Sequence, residues 1–111
     1  MSKFDDFRDA VITGAEALAK QSLKDLVNQA AEDSKAFLEK SAADMQRWTG
    51  ELAAKQITKQ EFTDLVQAKK AVAEMHALTQ AGVALAAIER FRTGLINLVI
   101  DTAFKIFIPS F

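Results

Sequence analysis

Apolar and small residues recur along the first half of the chain at helical spacing: Phe4, Phe7, Val11, Ala15, Leu18, Ser22, Leu26, Ala30, Ser34, Phe37, Ser41, Met45, Trp48 and Leu52. Steps of three and four alternate through most of the series. That is the heptad-like seam of a long, gently supercoiled helix, and it predicts one helix over about 3–54. Ser2 stands where an N-cap belongs, and Asp5 and Asp6 in the first turn complement the helix dipole. Glu16–Lys20 and Glu51–Lys55 add acid-first pairs at i, i+4 on the other face.

The sharpest local pattern is Ile57-Thr58-Lys59-Gln60-Glu61-Phe62. Thr58 and Glu61 have the spacing of a capping box, and Ile57 and Phe62 that of a hydrophobic staple. A second helix therefore starts at about 59 and runs to about 108, where Pro109 ends it. The turn falls at 55–58, and so short a connection makes the two helices antiparallel neighbours. Folding there sets Trp48 opposite Leu65, Phe37 opposite His76 and Leu18 opposite Leu95, with Phe4 and Phe7 beside Ile106, Phe107 and Ile108. Each arm would be roughly 75 Å long at 1.5 Å per residue. The fold class read from the pattern is all-α: a long antiparallel hairpin in a single domain spanning 1–111.

The last third, AGVALAAIERFRTGLINLVIDTAFKIFI over 81–108, is apolar over more than half of a helix circumference. Glu89, Thr93, Asn97, Asp101 and Lys105 form one narrow polar line, widened by Arg90 and Arg92. Docking on one neighbour needs only about a 100° stripe, so this helix calls for several neighbours or a lipid-like surface. The small residues Gly82, Ala86 and Gly94 read as places where another helix comes unusually near. A bare two-helix hairpin leaves Phe4, Phe7, Phe91, Leu95, Leu98, Val99, Phe104, Phe107, Ile108 and Phe111 as an exposed patch larger than monomers tolerate. The expectation is self-association into a four-helix bundle or a larger helical oligomer, with 81–111 as the assembly segment.

Composition narrows the possibilities further. Four glycines and one proline in 111 residues suit long helices. The net charge of −1, without aromatics interleaved in a basic patch, argues against nucleic acid as a partner. No cysteine is present, which removes disulfides and thiolate chemistry. The acidic start MSKFDDFRDA lacks an apolar core, and no run of about 18 uncharged apolar residues exists, so the expected place is the cytoplasm, with at most peripheral attachment to a membrane or granule.

Candidate chemistry is thin. His76 is the sole histidine and reads as a seam residue packed on Phe37. Glu74, two residues earlier, would lie on another face of a helix, and no Glu-x-x-His spacing exists for a bundle di-iron site. Asp25, Glu32 and Glu39 repeat every seven residues along one solvated line, and the glycines are isolated rather than forming a phosphate loop. No catalytic, cofactor or metal residue is expected, and no cofactor.

Two functions fit. One is a non-enzymatic self-assembling scaffold or interaction protein whose apolar tail forms the oligomer core or docks another protein. The other is a coat on a membrane, lipid body or polymer granule. In its Ala/Gln/Lys-rich, cysteine-free helical character the chain is loosely similar to phasins, the granule-coating proteins of bacteria, and that compositional similarity implies the second function. A helix lying on anionic lipid usually has a lysine-rich polar face, whereas the polar line here is nearly neutral, which favours the first.

Overall fold

Tertiary contacts break both expected arms. The computed structural model describes residues 2–23 and 25–108, and among these all regular structure is helical. The elements are α1 (Lys3–Ser22), α2 (Val27–Lys40), α3 (Ala42–Ala53), α4 (Lys59–Ala68), a 3-10 turn (Lys69–Val72), α5 (His76–Gln80) and α6 (Leu85–Phe107). The all-α class stands. The two straight helices over 3–54 and 59–108 do not.

Each break has a physical reason. At the end of α1 the seam changes phase: Ser22 is exposed and Leu23 is buried instead. At Ser41 the helical ladder continues, through Ser41 N to Phe37 O at 3.0 Å and Met45 N to Ser41 O at 2.8 Å, so this is a bend rather than a stop. After Ala68 no glycine or proline forces an ending. The chain leaves the helix because Ala73 and Met75 are drawn into the core, while Arg92 Nε donates to Ala73 O at 2.9 Å. Between α5 and α6, Gly82 adopts φ +81. Gly82 N donates to Thr79 O, and Val83 N to Leu78 O, which closes a Schellman turn.

α6 is the hub, in contact with α1, α3, α4 and α5. It lies antiparallel to α1, with the Phe7 ring 5.9 Å from Phe107 at one end. Farther along, the two helices interlock through leucines set over glycines. A Cβ on Gly94 would come within 2.7 Å of Leu18 Cδ2, and one on Gly14 within 2.8 Å of Leu98 Cδ1. Leu18 thus sits one residue from the Leu95 position expected to face it. α1 also packs on α2, and α4 returns over the same C-terminal end of α6, where Phe62 and Phe104 rings lie 6.0 Å apart.

The chain therefore covers its own apolar tail. Phe91, Leu95 and Val99 are buried, each contributing about 1.5–3 kcal/mol, and Leu98, Phe104, Phe107 and Ile108 are half-buried. The extents are 42 × 25 × 23 Å and the radius of gyration is 13.8 Å, near the roughly 13 Å of a compact chain this long and far from a 75 Å rod. The bare patch from which self-association was argued is absent: among the described residues Leu85 is the one large apolar side chain left exposed. The polar line Glu89, Thr93, Asn97, Asp101 and Lys105 faces outward along α6.

The turn between α3 and α4 follows from its residues. Thr58 N donates to Glu61 Oε1 at 2.8 Å and Glu61 N to Thr58 Oγ1 at 3.0 Å, so both halves of the capping box are made. Phe62 is buried and Ile57 half-buried beside the core. On the α3 side, Gln56 N to Glu51 O and Lys55 N to Leu52 O form a second Schellman turn, which places Lys55 at φ +61. A lysine there bears left-handed strain that glycine does not. Lys55→Gly is expected to raise stability by about 1 kcal/mol, read as a higher urea midpoint with an unchanged slope.

Candidate functional site

The residues with most chemistry converge on the irregular stretch from Lys69 to His76. Because Ala73–Met75 turns tightly rather than continuing the helix, with Glu74 N donating to Val72 O, Glu74 and His76 do not lie on different faces: His76 Nε2 is 3.1 Å from Glu74 Oε2. The expected packing of His76 on Phe37 is also corrected. Its ring is 75% exposed, and the two residues only share the lining of one shallow cleft. This cleft, about 200 Å³, lies between α2 and α5, with Glu32, Asp33, Lys40 and Glu74 at its edges.

Asp33 is the buried charge of the region, at 6% exposure. Its Oδ1 accepts from Ala77 N at 2.8 Å and its Oδ2 from Leu78 N at 2.9 Å. Met75 precedes α5 without a side-chain cap, so α2 supplies the cap across the fold. Nothing in the sequence reading singled out Asp33. Its position on the shoulder of the Ala30–Ser34–Phe37 seam is the one clue, because an acid there must find donors on whatever packs against it.

Ion pairs radiate from the same stretch to three helices. Lys40 Nζ is 2.6 Å from Glu74, Lys69 Nζ is 2.5 Å from Asp44, and Lys70 Nζ is 3.4 Å from Glu89. Arg92 bonds Glu89 at 3.0 Å as well as the Ala73 carbonyl. Lys69 and Arg47 stand 5.7 and 5.9 Å from the ring centre of Trp48. Asp44 is held below its ordinary pKa by the hydrogen bond from Lys69, and Glu74 by that from Lys40. At Glu89 desolvation pushes upward, but bonds from Lys70 and Arg92 outweigh it and leave the carboxyl below its ordinary value.

The cations and carboxylates of this stretch bind one another. Among the described residues no group of three or more His, Cys, Asp and Glu could hold a metal ion, and no helix is long and apolar enough to cross a membrane. Compared with known proteins, the chain matches no family model, no curated protein and no solved structure.

The described residues singled out for contact fall into two places. Phe4, Phe7, Phe104, Phe107 and Ile108 gather at one end of the bundle, with Phe4 and Phe7 rings 5.7 Å apart and Lys59 Nζ 5.6 Å from the Phe104 ring. Phe91, Leu95, Leu98 and Val99 line the middle of α6 against the core. Phe111 lies outside the described residues. Of the three small residues read as close approaches, Gly94 is beneath Leu18, whereas Ala86 is exposed. At Gly82 a Cβ would meet nothing within 4 Å; this glycine serves its positive φ. Gly14 has the role assigned to Gly82, and only the pairing of α1 with α6 shows it.

Asp33→Ala strands the buried Leu78 N–H and the part-buried Ala77 N–H and is expected to cost about 2–3 kcal/mol in urea unfolding, with Asp33→Asn, which keeps one acceptor, losing less. The ion pairs set a pH dependence. Folded Asp44, Glu74 and Glu89 lie below their ordinary values of 3.8, 4.5 and 4.5, so the unfolded chain binds more protons in acid. Their contribution is complete above those values and is lost as pH falls through the lowered ones. The urea midpoint is expected to drop on acidification, and to drop less in a variant carrying Asp44→Asn, Glu74→Gln and Glu89→Gln.

Proposed function

We propose that the chain is a non-enzymatic helical scaffold or interaction protein that associates with copies of itself through the segment built on α6. The observation that carries this reading is the hub position of α6. One helix supplies the core surface for α1, α3 and α4, and the charged groups of 69–74 pair with α2, α3 and α6, joining elements of one body. A chain whose stability rests on one strongly apolar helix has the means to share that helix, or its half-covered aromatic end at Phe4, Phe104 and Phe107, with another copy. The neutral polar line of α6 favours protein over anionic lipid as the surface met. The reading places the protein in the cytoplasm.

Light scattering on a sizing column, from micromolar to millimolar protein, tests this. A discrete oligomer that grows with concentration in plain buffer is expected. A species that stays heterogeneous until vesicles or oil droplets are added would favour a surface coat instead, and a monomer throughout would overturn self-association.

A further inference from the structure

We infer that residues 69–82 form a strap that opens as a unit while α1, α2, α3, α4 and α6 stay packed, and that charged ties hold it closed.

The strap has little structure of its own. Its 3-10 turn and α5 are four and five residues long, and neither has a side-chain cap from within the strap. Helical pieces that short do not persist in water without tertiary support. Its buried side chains are Ala73, Met75 and Leu78. α6, by contrast, buries Ile88, Phe91, Leu95, Ile96, Val99 and Ile100. Both ends of the strap are already marked in the backbone: α4 closes at Ala68, and Gly82 at φ +81 turns the chain before α6.

What joins the strap to the body is charge. Lys69 reaches Asp44 on α3, Lys70 reaches Glu89 on α6, and Glu74 meets Lys40 on α2 at 2.6 Å. Arg92 Nε donates to Ala73 O at 2.9 Å, and Asp33 accepts from Ala77 N and Leu78 N at 2.8 and 2.9 Å. Apart from backbone bonds to the adjoining α4, every hydrogen bond or ion pair that joins the strap to another helix among the described residues has a charged side chain at one end.

The body does not need the strap to stay together. α6 packs directly on α1, α3 and α4, and α1 directly on α2. Opening the strap therefore loses its own few buried side chains and its ties, and leaves the main helix pairs in place. A segment with few buried apolar side chains and partly exposed bonds lies at the low end of local stability. What it uncovers is apolar: Phe37 on α2, at 1% exposure, lies beneath the cleft that Val72 and Ala77 help to line. The strap is a lid on that face of α2.

Hydrogen exchange read by mass spectrometry on the full chain, at fixed pH and in low concentrations of urea, tests this. The bonded amides of Leu78, Thr79 and Ala81 are expected to exchange roughly 100-fold faster than those at the centres of α1 and α6, with a shallower dependence on urea. Raising NaCl from about 20 mM to about 1 M is expected to speed strap exchange roughly threefold or more, because it screens the ties. Asp33→Asn is expected to speed it about tenfold. Strap amides that exchange at the rate of the α1 and α6 centres, with the same urea dependence, would show that the strap opens only with the whole molecule and would overturn the inference. A strap that opens alone but is indifferent to salt and to Asp33→Asn overturns it equally, since charge would not then be what holds it.

Discussion

The need to cover α6 governs the rest of the structure. A helix apolar over most of its circumference cannot be satisfied by one antiparallel partner. α1 takes one side at very close range, made possible by leucines seated over Gly14 and Gly94. The remaining surface is met by bending the chain so that α3 and α4 close over α6. The break after Ser22, the bend at Ser41 and the irregular stretch 69–75 serve that coverage, and the helical hydrogen bonds lost at the two breaks are offset by the buried area.

Where the second arm bends, polar groups take over the work that helix hydrogen bonds would have done. Arg92 bonds the Ala73 carbonyl from α6 and Asp33 accepts from Ala77 and Leu78 N–H from α2, while three lysine pairs connect 69–74 to α2, α3 and α6. The exposed pairs are individually weak. Asp33 differs because it is buried and doubly bonded: its two oxygens find donors in the α5 backbone, and the first N–H groups of α5 find acceptors in it.

The junction at Gly82 sets local preference against global packing. Locally the residues ask for an uninterrupted helix; globally α6 must turn back to reach α1. Gly82 at φ +81 and Ala84 in extended backbone turn the chain between them.

Much of this protein was legible in its residues, and the boundary is physical. The helical period, the capping box at Thr58 and Glu61, the outward polar line on α6 and the pairing of the two chain ends all follow from interactions within a few residues or from a repeated pattern, which the sequence records directly. The bends do not: Lys69–Met75 has no breaker, and its helical preference is overridden by partners far along the chain. The same holds for Asp33, whose donors lie 44 and 45 residues away, for His76, which meets Glu74 only because the helix is broken, and for Gly14 and Gly82, whose uses depend on what stands opposite them. Sequence alone determined that an apolar helix had to be covered. Only the tertiary structure decided that α1, α3 and α4 of the same chain would cover it, because packing one chain on itself fills that surface without the entropic cost of bringing in a second.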